Sequence, residues 1–464
     1  MPRTLCIPQN EFRRNNNTNR NFRLHDISHL LCDGPIALHD LKNEPHFHEF
    51  PWAIGQVCRH WRAAFLSCTY LWTSFALKPG RFDAADFVEM NRRAAIYLER
   101  SGQQPLTIVV SMPCSWTEKF PKTVWRMLLS FLKRWEKADL VLRRGAARNE
   151  LLRCRGYMSS LKSLRMSIPN STALKNYNTF KVAPHLTELD LAHRGYTATW
   201  QFPWAQLTKL KITASCTEFN HSYSNNLWGV LFQLENIEEL HIITSFGHVT
   251  PPSPLPIILL PGLRLLEISL PFAMIFSWFT APLLEHLHIQ SISSANYLHH
   301  DQPYKRELMY LIQHSSCHIR RLVLENCRME EMRIMMEALA SVEELSINYL
   351  KSFAIIQDIA RLDGCIYLPK LQVLQMTCKF GCGKNALTIL ENAITGFSCL
   401  LEARRRGLSL ASHDIVPLEK FVLRLKLSLQ GKWPDKVLEV VHSWPSFAQV
   451  YINGSVLERL APSF

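Results

Sequence analysis

A chain of 464 residues, 47% of them hydrophobic, can bury a large core but is too long for one compact globule. Its net charge of +13 is scattered over an Asn-rich head (Arg13, Arg14, Arg20, Arg23), a patch at Arg143, Arg144, Arg148, Arg153 and Arg155, and Arg404–Arg406, without interleaved aromatics, so nucleic acid is not an expected partner. The longest apolar runs, such as Leu270–Phe279, are about half a membrane span, no signal-peptide core opens the chain, and thirteen irregularly spaced cysteines argue against a disulfide framework; no membrane contact and a reduced cytoplasmic or nuclear setting are expected.

Residues 1–45 are rich in Asn, Arg and His and carry no hydrophobic period, which predicts a poorly ordered segment. Within Pro51–Leu77, the residues Ile54, Val57, Trp61, Phe65 and Cys68 recur at steps of three and four, the apolar stripe of an amphipathic helix. Pro51 suits the first turn, where its missing N–H costs nothing. Tyr70, Leu71 and Trp72 then fold back on the stripe, giving a helical hairpin over 46–80. Residues 81–155 read as a linker helix and the first strand–helix units. These are a helix over 82–100 closed by Gly102, a strand Pro105–Ser111, a long helix Trp116–Ala138 and a strand Asp139–Leu142.

From 156 to 384 a repeat takes over, with the pattern L-x-x-L-x-hydrophobic. It reads Leu161-Leu164-Met166, Leu186-Leu189-Leu191, Leu207-Leu210-Ile212, Ile237-Leu240-Ile242 and Leu263-Leu266-Ile268. It continues with Leu284-Leu287-Ile289, Ile319-Leu322-Leu324, Val342-Leu345-Ile347 and Leu371-Leu374-Met376, at steps of 21 to 35 residues. Leucine-rich repeats have this spacing. The last two anchors lie two apart and share one face of a short strand, and stacked units join their leucines into one core. Segments such as Tyr304–His314, Glu330–Ala340 and Phe353–Leu362 have helical periodicity and supply the other side. The residues between the anchors then point away from the core. They are Glu188, Asp190, Lys209, Lys211, Glu239, His241, Glu267, His286, His288, Arg321, Glu325 and Glu344, the expected substrate-binding face. Residues 385–464 leave the pattern and read as capping units: a helix Asn385–Arg406, a strand Phe421–Leu427, a helix Lys432–His442 and a strand Ala448–Ile452.

Motifs for chemistry are weak. Gly381-Cys382-Gly383-Lys384 resembles a phosphate loop but is followed by Asn385 where Ser or Thr would hold magnesium. Cys378 and Cys382 lack a second pair at ligand spacing, and His286 with His288 lack a third ligand. No H-E-x-x-H, G-x-S-x-G or G-x-G-x-x-G occurs. No enzyme activity, catalytic residue, metal or cofactor is expected.

Val57-Cys58-Arg59-His60-Trp61-Arg62, followed by Leu71-Trp72, resembles the second half of an F-box, and more narrowly the F-box-like proteins that mushroom-forming fungi carry in large numbers. The family's opening helix, roughly L-P-x-E-I-L-x-x-I-F, has as its counterpart only Leu24–Leu31, which lacks the Pro and the Glu, so the module reads as degenerate. The resemblance implies docking on the Skp-type adaptor of an SCF-type cullin–RING ubiquitin ligase, through Pro51, Trp52, Val57, Cys58, Trp61, Leu71 and Trp72. The repeats would select a protein substrate. The expected fold class is α/β: a small all-helical F-box-like hairpin, then an irregular leucine-rich-repeat solenoid with a parallel sheet. A repeat scaffold that binds a protein without any ligase is the alternative.

Overall fold

The computed structural model describes residues 58–77, 84–112, 122–142, 149–151, 153–154, 157–168, 179–193, 201–214, 227–244, 257–291, 304–350, 368–380, 394–398, 401–402, 416–427, 441, 444, 448–452 and 455–456. The expectations for residues 1–57, for Phe353–Leu362, for the glycine-rich stretch Gly381–Lys384 and for most of the two late helices lie outside them.

The first described element is helix α1 (Arg59–Ser67). Cys58 is its N-cap, with extended backbone and a sulfur that accepts the Trp61 N–H at 3.4 Å. The helix ends where Cys68 returns to extended backbone, its N–H donating to the Ala64 carbonyl. A 3-10 turn, Thr69–Trp72, leads directly into strand β1 (Ser74–Leu77). This corrects the expected second limb of a helical hairpin: Thr69–Leu77 is a turn and a strand of the main sheet.

Helix α2 (Ala84–Arg100) ends at Gly102, whose φ of +56° is the left-handed conformation that glycine adopts without strain. Strand β2 (Leu106–Met112) follows. Helix α3 (Lys122–Ser130) is shorter than expected; a 3-10 turn at Leu132–Arg134 intervenes and Trp135 opens strand β3 (Trp135–Leu142). The Arg134 guanidinium pins this corner, donating to the Gln104 carbonyl at 2.8 and 2.9 Å and to the Ser101 hydroxyl at 2.7 Å.

Strands β4 (Ser163–Ile168), β5 (Glu188–His193), β6 (Lys209–Ala214) and β7 (Glu239–Thr244) come next, each on one repeat. After β7 a short strand β8 (Ile258–Leu259) forms a separate two-stranded parallel sheet with β10 (Phe279–Thr280). Between them lies β9 (Leu265–Ser269), and after them β11 (His286–Gln290). Helix α4 (Tyr304–Ser315), strand β12 (Arg321–Glu325), helix α5 (Met329–Ala338) and strands β13 (Glu344–Leu350), β14 (Val373–Phe380), β15 (Lys420–Leu427), β16 (Ala448–Ile452) and β17 (Ser455–Val456) complete the order.

Apart from β8 and β10, these strands form one 15-stranded sheet in chain order. Every neighbouring pair is parallel except the last, β16 with β17. Order without crossing is what repeats produce when each unit packs only on the unit before it. The backbone states the rule locally: the residue before each strand donates to its counterpart one unit earlier, as in Lys162 to Glu136, Glu238 to Thr208, Arg264 to Glu238, Glu343 to Arg320 and Gln372 to Glu343. The sheet begins at β1 and runs past β14, so the boundaries drawn at 80, 155 and 384 do not interrupt it.

One face of the sheet carries the core. All 27 anchors of the nine repeats are buried, at 5% exposure or less, in a single cluster that reaches from Phe75 to Val450. A fourth anchor lies three residues before the first: the N–H of Leu161, Leu186, Leu207, Leu263, Leu284, Val342 and Leu371 donates to the carbonyl of Met158, Ala183, Trp204, Leu260, Ala281, Leu339 and Leu368. Those seven are buried too. The tight turn therefore has an apolar residue at both ends.

Candidate functional site: the open face of the sheet and the helix at its start

The second face of the sheet carries the residues between the anchors, in rows set by register. One row runs Lys137, Ser163, Glu188, Lys209, Glu239, Leu265, His286, Arg321, Glu344. The next runs Asp139, Arg165, Asp190, Lys211, His241, Glu267, His288, Val323. A third contains Gln290 and Glu325. All twelve residues expected on the substrate-binding face are in these rows, half-buried or exposed. Alternation along each strand was the signal, because successive side chains point to opposite faces.

Opposite charges alternate across strands and pair. Lys209 meets Glu239 at 2.5 Å, Arg165 lies 3.7 Å from Asp139 and 3.5 Å from Asp190, and Arg321 lies 3.7 Å from Glu344. From β3 to β15 the first three outward rows hold seven basic residues (Lys137, Arg165, Lys209, Lys211, Arg321, Lys420, Arg424) and seven acidic ones (Asp139, Glu188, Asp190, Glu239, Glu267, Glu325, Glu344). These rows are thus balanced although the chain carries +13. A phosphate backbone needs a basic stripe, and none crosses these rows.

At the centre, five side chains alternate acid and imidazole across β7, β9, β11 and β12. His241 Nε2 is 3.5 Å from Glu239, and its Nδ1 is 2.5 Å from Glu267 Oε2. His288 Nδ1 is 3.2 Å from Glu267 Oε1, and its Nε2 is 3.3 Å from Glu325 Oε2. Glu267 lies between the two rings, hydrogen-bonded to His241 and in ion-pair contact with His288. Its side chain is 12% exposed; burial opposes its ionisation, but the hydrogen bond from His241 and the charges of His288, His241 and Lys211 outweigh it and hold its carboxyl below the usual range. Glu239 is also held low, first by its hydrogen bond from Lys209. No three of the described His, Cys, Asp and Glu residues converge as a metal would require.

The second candidate region is α1 with its turn. Phe65 and Trp72 pack at 4.6 Å between ring centroids, and Trp72 meets Tyr97 of α2 edge-on at 5.0 Å. Arg100 lies over the Trp72 ring, and the Trp72 indole N–H donates to the Phe65 carbonyl at 3.3 Å. Trp72 is 1% exposed. Its expected place on an adaptor-binding surface is corrected: it joins helix, turn and sheet, and has no surface to offer. Leu71 is half-buried and Cys58 exposed. Trp61 is 36% exposed, with Leu66 at 40% and Tyr70 at 71%. Sequence reasoning overlooked Leu66, and its expectation that Tyr70 folds back on the stripe is corrected: the Tyr70 ring faces outward. Pro51, Trp52 and Val57 lie outside the described residues.

No helix among the described residues is long and apolar enough to cross a membrane. In comparisons with known proteins, no family model matches the chain and no curated protein matches it.

Proposed function

We propose that this chain is an F-box-like substrate receptor: the open sheet face holds a protein, and α1 docks a Skp-type adaptor of an SCF-type cullin–RING ubiquitin ligase. The observation that carries it is the pairing of an outward Trp61 with an inward Trp72 on one short helix and turn. Trp61, Leu66 and Tyr70 are large apolar side chains exposed among the described residues, and such surface marks interaction sites. Trp72 packs on Phe65 of that helix and on Tyr97 of α2, which in turn meets Phe75 of the first strand. A partner held at α1 is thereby held at a fixed angle to whatever the sheet binds, which is what presenting a substrate requires. Tryptophan is also the side chain that most often dominates interface energy.

The test is retention of the intact chain on an immobilised Skp-type adaptor. Retention that falls about tenfold or more in Trp61→Ala supports the reading. Absence of retention by the intact chain rejects it. One observation favours the alternative, a repeat scaffold without a ligase: Ser74–Leu77, directly after α1 and its turn, is the first strand of the sheet, so α1 is continuous with the repeat array. On that reading the open face still binds protein, and Trp61→Ala changes nothing measured with the adaptor.

A further inference from the structure

The outward rows of the sheet are rich in charge; the edge where its central strands begin is not. Strands β4, β5, β6, β7, β9 and β11 are each preceded by a turn with a buried apolar residue at both ends: Met158–Leu161, Ala183–Leu186, Trp204–Leu207, Leu234–Ile237, Leu260–Leu263 and Ala281–Leu284. The residue before each turn and the two inside it make eighteen positions. Glu235 is the one acidic residue among them and no Lys or Arg occurs, in a chain with 20% charged residues.

These turns stack directly. The Gln206 amide donates to the Ala183 and Leu186 carbonyls at 2.7 and 2.8 Å, and the Asn236 amide donates to the Ala205 carbonyl at 2.7 Å. Gly262 passes so near the turn before it that a Cβ would sit 3.2 Å from the Ile237 carbonyl. At the spacing of neighbouring strands, six stacked turns make a ridge about 25 Å long. Its apolar side chains lie towards the two ends. Tyr157 and Val182 are exposed on the first two turns, Leu259 and Leu283 on the last two, with Ile257 beside Leu259. The two middle turns present Ala205, Gln206, Glu235 and Asn236, flanked by Phe232. From either end the order is therefore the same: two apolar turns, two polar turns, two apolar turns.

We infer that this ridge is the contact between two copies of the chain, related by a twofold axis that passes between its third and fourth turns. A twofold axis lays a surface on its own reverse, so it demands a pattern that reads alike in both directions. Tyr157 then meets Leu283 of the partner subunit, and Val182 meets Leu259 of the partner subunit. Charge selects the same occupant. Two chains of +13 repel, and they do so least through an edge that carries no basic residue, whereas a partner recognised by its charge finds almost nothing on this edge to pair with. A ridge of this length is at the small end of protein interfaces, which sets the expected association in the micromolar range. Because the ridge lies at the strand starts, pairing leaves the outward rows of the sheet free. The inference goes beyond the proposed function and does not depend on it.

The experiment is sedimentation velocity on the full chain, loaded at about 1 to 100 μM. The wild type is expected to pass from monomer to dimer across that range. Leu259→Glu is expected to weaken the dimer about tenfold or more, because it sets a carboxylate against Val182 without a counter-charge. Val182→Lys/Leu259→Glu is expected to recover association, because the twofold axis sets each lysine of one copy against the glutamate of the other. Val88→Glu, an equally exposed apolar position on α2 outside these turns, keeps the wild-type dimer. Thermal melts of the variants separate loss of the contact from loss of the fold. A wild type that stays monomeric at the highest concentration, a dimer unchanged by Leu259→Glu, or no recovery in the double variant overturns the inference.

Discussion

At the scale of single residues, burial separates side chains that hold the fold from those that face outward. Trp72→Ala removes a fully buried ring from the cluster with Phe65 and Tyr97 and is expected to cost about 3–5 kcal/mol in urea denaturation. Trp61→Ala, on the exposed flank, is expected to cost about 1 kcal/mol or less. Equal costs would mean that Trp61 is core. The cysteines divide in the same way. Cys58 is exposed, whereas burial pushes the Cys327 and Cys378 thiols up to about 12. The thiolate is the reactive form. Alkylation of the native chain at pH 8, mapped by mass spectrometry, is therefore expected at Cys58, with Cys327 and Cys378 modified only on unfolding. Glu267 sets an acid limit. Its folded value lies below the ordinary 4.5, so its ionised form contributes stability that is present above about pH 4.5 and lost as pH falls through the folded value. Melting temperature followed from pH 6 to 3 should fall less steeply in Glu267→Gln than in the wild type; parallel curves would show that the carboxylate is not held by its neighbours.

At the scale of elements, what was legible depended on period and length. The nine repeats were readable because each gives three anchors at fixed offsets, and a partner strand offers the same offsets in the next unit. The outward residues followed from the same register. Gly102 was readable as a helix stop, and its positive φ gives the physical reason. Gly102→Ala should cost about 1 kcal/mol, seen as earlier melting and as loss of amide protection in the last turn of α2. Asn326 also has a positive φ, of 55°, and its N–H donates to the Asn348 carbonyl at the end of β12. Strand β1 was not legible. Four residues are too few to distinguish period 2 from period 3.6, and its pairing with β2 crosses an entire helix. The end of α3 was misread for another reason: Phe131 and Trp135 are four apart and both face the core, but the chain changes from helix through a 3-10 turn to strand between them. The side-chain network at the centre of the open face was not legible either. Sequence places His241, Glu267 and His288 on neighbouring strands, but not which ring nitrogen meets which oxygen.

At the scale of the whole molecule, the sheet in chain order makes stability a property of neighbours. No strand of the first half pairs with a strand of the second half except across the middle of the sheet, at β7, β9 and β11. The apolar core is nonetheless one cluster from end to end. Such an array behaves as a line of units whose stability sums each unit and its two interfaces. A charge placed in the middle should therefore do something a charge in a closed barrel or sandwich cannot. Leu240→Asp buries a carboxylate at a fully buried anchor of β7, at a cost of several kcal/mol. The loss is expected to fall on β7 and on its partners β6 and β9, while β2, β3, β14 and β15, several units away, keep most of their amide protection. Hydrogen exchange read by mass spectrometry resolves this strand by strand. Val450→Asp, on β16 near the far end, should expose only β16 and its partners β15 and β17. A uniform loss across all strands in Leu240→Asp would mean that the two halves stand or fall together. A local loss would show that the open face is built from separable units, so that its centre can be altered without dismantling the helix that presents Trp61.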